Sequence, residues 1–428
     1  MGQLFLALLL QCLLFAGSVH AQQAAVPANP EALSLLRAFE LQRDHNRAIR
    51  AASRQAQIAT AEVYRVNVRP NPSLTAQVSN TEPNRYRPGG SDRILRLDQL
   101  IERGGKRELR TRQAQLLEQA SKADLADVTR LQKLQLAHAY LELIAAQDSL
   151  DIATENLSAY QRLLSSAERR ANAGDLAIVD VSRLKVEVGR SANELRAAQA
   201  LVQQAQVNLA AAMGQESLSL SLRASDPLPL ADLIDATTRS IPAGLEQVDP
   251  SVQTRRADIL AAQRRVDAAE QAVELAQSLR TRDVSVGVQT ERSPSFGGHV
   301  FGISATLPLF VNNDFAGDVA RALAEKDAAQ EELLRLQASI RTDVERSSGQ
   351  LRAAADRALR LNASTLPDAA KVVTAIEFAF SKGAATLTDL FDARRQRAAV
   401  RTEAIAAQLE FAKAHASYLA ATTLEALP

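Results

Sequence analysis

One cysteine, no tryptophan, two methionines and 4% aromatic residues leave this 428-residue chain short of the groups that do most chemistry or fill a thick globular core. The cysteine, Cys12, lies in an apolar leader; with that leader removed, disulfides and thiolate metal sites are excluded together. Lipid attachment there is disfavoured as well, because Gln11 stands where a lipoprotein site needs a small residue. The net charge is only +1, and Lys and Arg are interleaved with Asp and Glu along the chain, so there is no basic stripe and no nucleic-acid partner is expected. His45, His138, His299 and His415 lie far apart, Met213 is the only methionine after the leader, and neither His-Glu-x-x-His nor Gly-x-Ser-x-Gly occurs. No catalytic, cofactor or metal site is expected. After the leader no segment reaches the roughly 20 apolar residues of a membrane-spanning helix. If this chain lies in a membrane, strands put it there.

The leader itself, residues 1–21, is apolar from Leu4 to Ala16 and ends in Val19-His20-Ala21. That small-x-small ending predicts secretory cleavage before Gln22, although no Lys or Arg precedes the apolar run.

What the chain does contain is a pattern written twice. Gly174, Leu176, Ile178 and Asp180 lie in Ala-Gly-Asp-Leu-Ala-Ile-Val-Asp-Val; Gly383, Leu387 and Asp389 lie in Lys-Gly-Ala-Ala-Thr-Leu-Thr-Asp-Leu. Each copy interrupts a long Ala/Leu-rich helical pattern. A Gly suited to a helix C-terminus, with an Asp suited to the next first turn, predicts a helix-turn-helix tip at each. Two copies between matching flanks mark an internal duplication: a first repeat over 22–214, a connector over 215–248 carrying Pro227, Pro229 and Pro242, and a second repeat over 249–428.

Within the first repeat the spacing predicts one helix from Pro30 to about Val68, a strand hairpin over 73–101, and a strand-to-helix turn at Gly104 and Gly105. From Lys106 to Ala171 there is neither Pro nor Gly. A helix of that length spans about 100 Å, too long for a globule, and belongs in a coiled coil or helical tube. The second repeat predicts a helix over 251–280, a hairpin over 283–311, a long helix over 315–381 kinked at Pro367, and a last helix from Thr388. The fold class is therefore mainly α with a small β part. Four strands cannot close a barrel in lipid, where every backbone group must be paired; three copies would supply twelve. The pattern leaves open a soluble coiled-coil protein carrying two hairpins.

These features resemble the TolC family of outer-membrane efflux proteins over essentially the whole chain after the leader, and Ile101-Glu102-Arg103-Gly104-Gly105-Lys106-Arg107 is similar to its CzcC-type heavy-metal branch. The resemblance implies a homotrimer with a twelve-stranded barrel in outer-membrane lipid, a helical tunnel across the periplasm, and an equatorial belt made by the connector. It implies tips that meet a periplasmic adaptor of an RND-type inner-membrane pump, with Gly174, Leu176, Ile178, Asp180, Gly383 and Leu387 as tip and adaptor-contact residues. Divalent heavy-metal cations are the implied cargo; drug efflux, type I secretion and a periplasmic coiled-coil adaptor are the alternatives. Asp389 and Asp392, three apart, share a helix face. They stabilise a helix first turn or, in threefold copies, form an acidic ring at the entrance, whose confinement would raise part of its titration. A latched family member has Tyr and Arg where this chain has Phe380 and Ala385, which argues against that polar latch.

Overall fold

In a computed structural model, residues 31–80, 91–218, 222–228, 234, 255–293 and 297–422 are described. The expected leader, most of the connector and the last residues of the expected final helix lie outside them. Long antiparallel helices make up most of the fold, and a four-stranded sheet sits at their end away from the tips.

The first expected helix is broken. Residues Glu31–Leu33 form β1, which pairs in parallel with β4 (Leu222–Ala224), and two helices follow, α1 (Leu35–His45) and α2 (Arg47–Asn67). The reason is Asn46. Its buried side chain accepts from the N–H groups of Ala48 and Ile49 and donates to the Ala212 carbonyl, so it caps α2 and ties the break to a neighbouring helix. Ser34 caps α1. Helical periodicity runs through Asn46 unchanged because capping and the helical stripe ask different things of one residue.

The hairpin strands are β2 (Ser73–Asn80) and β3 (Ser91–Ile101), then β5 (Val284–Ser293) and β6 (Gly298–Thr306). They form one antiparallel sheet in the order β2-β3-β5-β6, so the hairpins of the two halves pair through their inner strands. Register sorts the faces. Leu74, Leu97, Val288 and Ile303 stand in one row across the sheet, with Ala76 opposite Leu95 and Val286 opposite Ala305 on the same side. Thr75, Arg96, Gln289 and Gly302 form a row on the other face, and Asp98 and Ser304 flank Gly287 there. One face is apolar and the other polar. Neither β2 nor β6 has a strand on its outer edge among the described residues.

From the sheet, α3 (Lys106–Asn172) runs 67 residues to the first tip, about 100 Å, and α4 (Ile178–Met213) returns beside it. In the second half, α5 (Ala257–Ser278) leads into the sheet. The descending helix is α6 (Ala316–Arg360), a π-turn at Leu361–Thr365, and α7 (Leu366–Ser381); α8 (Leu387–Thr422) returns. Pro367 lacks the N–H that an unbroken helix would use, and the chain widens by one turn just before it. The amide of Asn362 and the hydroxyl of Ser364 donate to the carbonyls of Ala358 and Arg360 across this turn.

Alanine lets these helices approach closely, and larger residues gather at only a few levels. The largest cluster packs Phe39, Leu136, Tyr140, Leu143, Leu209 and Met213. There the Tyr140 hydroxyl lies 2.7 Å from both the Leu33 carbonyl and the Asp226 carboxylate. Burial and the adjacent Asp226 push this phenol up to about 12. Gly214 ends α4 beside it at φ +75°, and a Cβ there would come within 2.7 Å of the His45 carbonyl oxygen, so no other residue fits.

Candidate functional site: the paired tips and the sheet junction

At the sheet end, Gly104 and Gly105 take φ +76° and +68°, turning the chain from β3 into α3. Gly104 also lies so close to Thr281 that a Cβ would be 2.9 Å from the threonine Cβ. The residues around this turn bind the two halves together. Lys106 is buried; its Nζ donates to the Thr281 carbonyl and to Asp283 Oδ1, 2.8 Å each, and the backbone N–H of Arg103 donates to the same carboxylate at 2.8 Å. Burial acts to raise the Asp283 pKa, but these donors outweigh it and hold the carboxyl below its ordinary value. Arg110 pairs with both oxygens of Glu102. The Lys106–Asp283 bond was not legible beforehand, since its partners are 177 residues apart. The position the repeat places on Gly105 is Phe315, a non-glycine at φ +60°. Its N–H donates to Asn313 Oδ1, which holds the turn without glycine.

Both tips end their descending helix in the same way. The Asp175 N–H donates to the Arg170 carbonyl and the Ala384 N–H to the Ala379 carbonyl, with Gly174 at φ +84° and Gly383 at +74°. This is the Schellman closure, in which the left-handed residue frees the chain to reverse. A Cβ at either glycine would meet nothing within 4 Å, so only backbone conformation restricts these positions. The tips start their ascending helices differently. Ala177 precedes α4 without a side-chain cap, and Asp180 in the first turn pairs loosely with Arg183 at 3.5 Å. At the second tip, Thr386 and Asp389 form a capping box. The Thr386 N–H and hydroxyl donate to Asp389 Oδ2 at 2.8 and 2.7 Å, and the Asp389 N–H points back to the Thr386 hydroxyl at 3.2 Å. The hydroxyl and N–H of Thr386 hold the Asp389 acid of a single chain below its ordinary pKa. Asp392 is exposed, 3.7 Å from Arg395.

The structure brings the two tips together. Leu176, Val181 and Leu184 from the first share a cluster with Phe380, Leu387 and Phe391 from the second. Ile178 stays outside it, 79% exposed. Phe380 packs under the Arg170 guanidinium, 5.9 Å from ring centre to carbon, an apolar and cation–π contact between the tips. Above it, cations on α8 face anions on the first-half helices: Arg395 with Glu187, Arg401 with Glu155, and Lys413 with Glu142. These pairs span more than 200 residues of sequence, and periodicity alone carries no trace of them.

Among the described residues no helix is long and apolar enough to cross a membrane, and no three His, Cys, Asp or Glu side chains gather as a metal site. A sheet with one apolar face, surmounting long duplicated helical hairpins whose tips pack as a pair, defines a class of membrane channel built from strands and helical tubes. The chain belongs to the outer membrane efflux protein family, whose model matches residues 39–215 and 250–422, one block in each half. It is similar to the cobalt-zinc-cadmium resistance protein CzcC of Cupriavidus metallidurans, 26% identical over 414 residues that cover 95% of this chain and 91% of that protein. Its fold is similar to that of the outer-membrane channel OprN, with a TM-score of 0.74 and 20% identity over 91% of this chain and 89% of the other. It is also similar to the CmeC outer membrane channel of Campylobacter jejuni, at 0.77 and 14% over 91% and 85%.

Proposed function

We propose that three copies of this chain join β6 of one protomer to β2 of the next, closing a twelve-stranded barrel over a helical tunnel, and that the assembly is the passive exit duct of a tripartite efflux system. The observation that carries this is the four-stranded sheet with an apolar face and, among the described residues, two unpaired edges. Lipid tolerates no unpaired strand edge, so the sheet must be completed by further copies. The helices would extend into the periplasm and present the paired tips to an adaptor delivering cargo from an inner-membrane pump. Gly174 and Gly383 stand at the apices of these tips, with Leu176 and Leu387 setting their packing, Ile178 exposed and Asp180 half-buried beside it.

Likeness to a cobalt-zinc-cadmium resistance protein supports divalent heavy-metal cations as cargo. Deleting the gene from its host is expected to sensitise cells to these metals, and the wild-type gene to restore growth. Unchanged metal tolerance with new sensitivity to organic drugs would assign a different cargo.

At the entrance, threefold copies of Asp389 and Asp392 would place six carboxylates around one opening. Two like charges about 7 Å apart repel by only about 0.6 kcal/mol in bulk water, and the capping bonds of Asp389 favour its charged form, so Asp389 keeps its charge at neutral pH. Exchanging both residues for asparagine is expected to abolish most cation preference and divalent block in single-channel recordings. Because the Asp389 acid is held low, wild-type preference should persist below about pH 4, where an ordinary aspartic acid is already mostly protonated. Equal selectivity in the double variant would reduce the pair to helix capping.

A further inference from the structure

About two turns into α8 from the second tip, a cavity of about 200 Å³ opens between α3, α7 and α8. Its charged lining is Glu155 and Arg162 from α3, Glu377 from α7, and Arg394, Arg397 and Arg401 from α8. The three α8 arginines are spaced three and four apart and so stack on one helix face, an arrangement that like charges disfavour. Two of the four cations are matched: Arg394 donates to Glu377 at 2.7 Å and Arg401 to Glu155 at 2.6 Å. Arg162 and Arg397 form no ion pair among the described residues, so four positive groups against two negative leave two charges unmatched. Arg394 is also unfinished, because its Nη1 is buried and has no hydrogen-bond partner.

The geometry points to an anion-binding site in this cavity, taking an oxyanion with several acceptor oxygens, such as a sulfate, a phosphate or a carboxylate group. Guanidinium groups present forked donors matched to such oxygens, and burial strengthens the contact. The anion bridges the unpaired Arg162 and Arg397 beside the Arg394–Glu377 pair, so it pins α8 to α3 just above the tips. Oxyanion occupancy therefore stiffens the tip half of the molecule.

The test uses full-length protein solubilised in detergent, titrated calorimetrically with sodium sulfate, sodium phosphate and sodium glutarate against a chloride background of constant ionic strength. Saturable binding is expected, at least tenfold weaker in the double variant Arg162→Gln/Arg397→Gln. Arg162 is exposed on α3, so Arg162→Gln alone checks the loss without disturbing packing. Arg397→Lys, which keeps the charge but not the fork, is expected to fall between. Binding by sulfate or phosphate assigns a free oxyanion; binding by glutarate alone assigns a carboxylate side chain presented by a docked protein. No saturable binding, or binding equal in wild type and double variant, the mark of an adventitious ion only, would overturn the site.

Discussion

An arginine in place of Ile303 is expected to remove the protein from the outer membrane, whereas an arginine in place of Gln77 leaves it there. Both positions are exposed on the protomer, Ile303 at 85%, and both lie in the four-stranded sheet, so exposure alone does not separate them. Face does. Ile303 stands in the row with Leu74, Leu97 and Val288 near the middle of β6, and that row must face lipid if the polar row of Arg96 and Gln289 lines the lumen. A charged arginine at the bilayer mid-plane of a barrel costs about 2–4 kcal/mol, and a trimer carries it three times. Fractionated membranes probed for the protein read the outcome. Equal amounts of the two variants in the outer membrane would assign the apolar face to something other than lipid.

The second large effect is at the base of the sheet. Changing Asp283 to alanine strands the ammonium of Lys106, which is only 8% exposed, with the Thr281 carbonyl as its remaining acceptor. Breaking a buried pair by removing one partner typically costs about 3–5 kcal/mol, because the remaining charge is left without compensation. The melting temperature of the detergent-solubilised protein should fall accordingly. Replacing both partners, Asp283→Leu with Lys106→Met, should recover much of the loss, since neither charge is then buried alone. A double variant no more stable than the single one would place the cost in the backbone bonds to Arg103 and Thr281 instead.

Much of the architecture was legible in the sequence because long helices and short alternating strands obey simple periods. The Lys106–Asn172 helix was read to within one residue, since no Pro or Gly interrupts it. Pro367 announced an interruption of the long helix, which the structure makes as a π-turn just before it. The break at Asn46 was not legible, because only the approach of Gly214 and the Ala212 carbonyl makes that asparagine a cap. At the tips, glycine spacing gave the turns. It did not give the pairing of Leu176 with Leu387 and Phe391, nor the α8 arginines reaching Glu155 and Glu187, because such contacts depend on how distant helices lie in space. Asp389 was legible as an acid near a helix start, but its bonds to Thr386 were visible only in the folded tip.

Closure of the barrel between copies is the claim on which the rest stands, and the scarcity of cysteine makes it directly measurable. Cys12 lies in the expected leader, so a cysteine pair, one on β2 and one on β6, adds the only thiols to the processed chain. Within one chain these strands are three spacings apart, about 14 Å, too far for a disulfide, which needs Cα atoms within about 7 Å. A scan of such pairs in native membranes, resolved on non-reducing gels, is predicted to give at the correct register a covalent species at three times the monomer mass and nothing larger. Products stopping at the dimer, an unending ladder, or monomer at every register would contradict a closed ring of three.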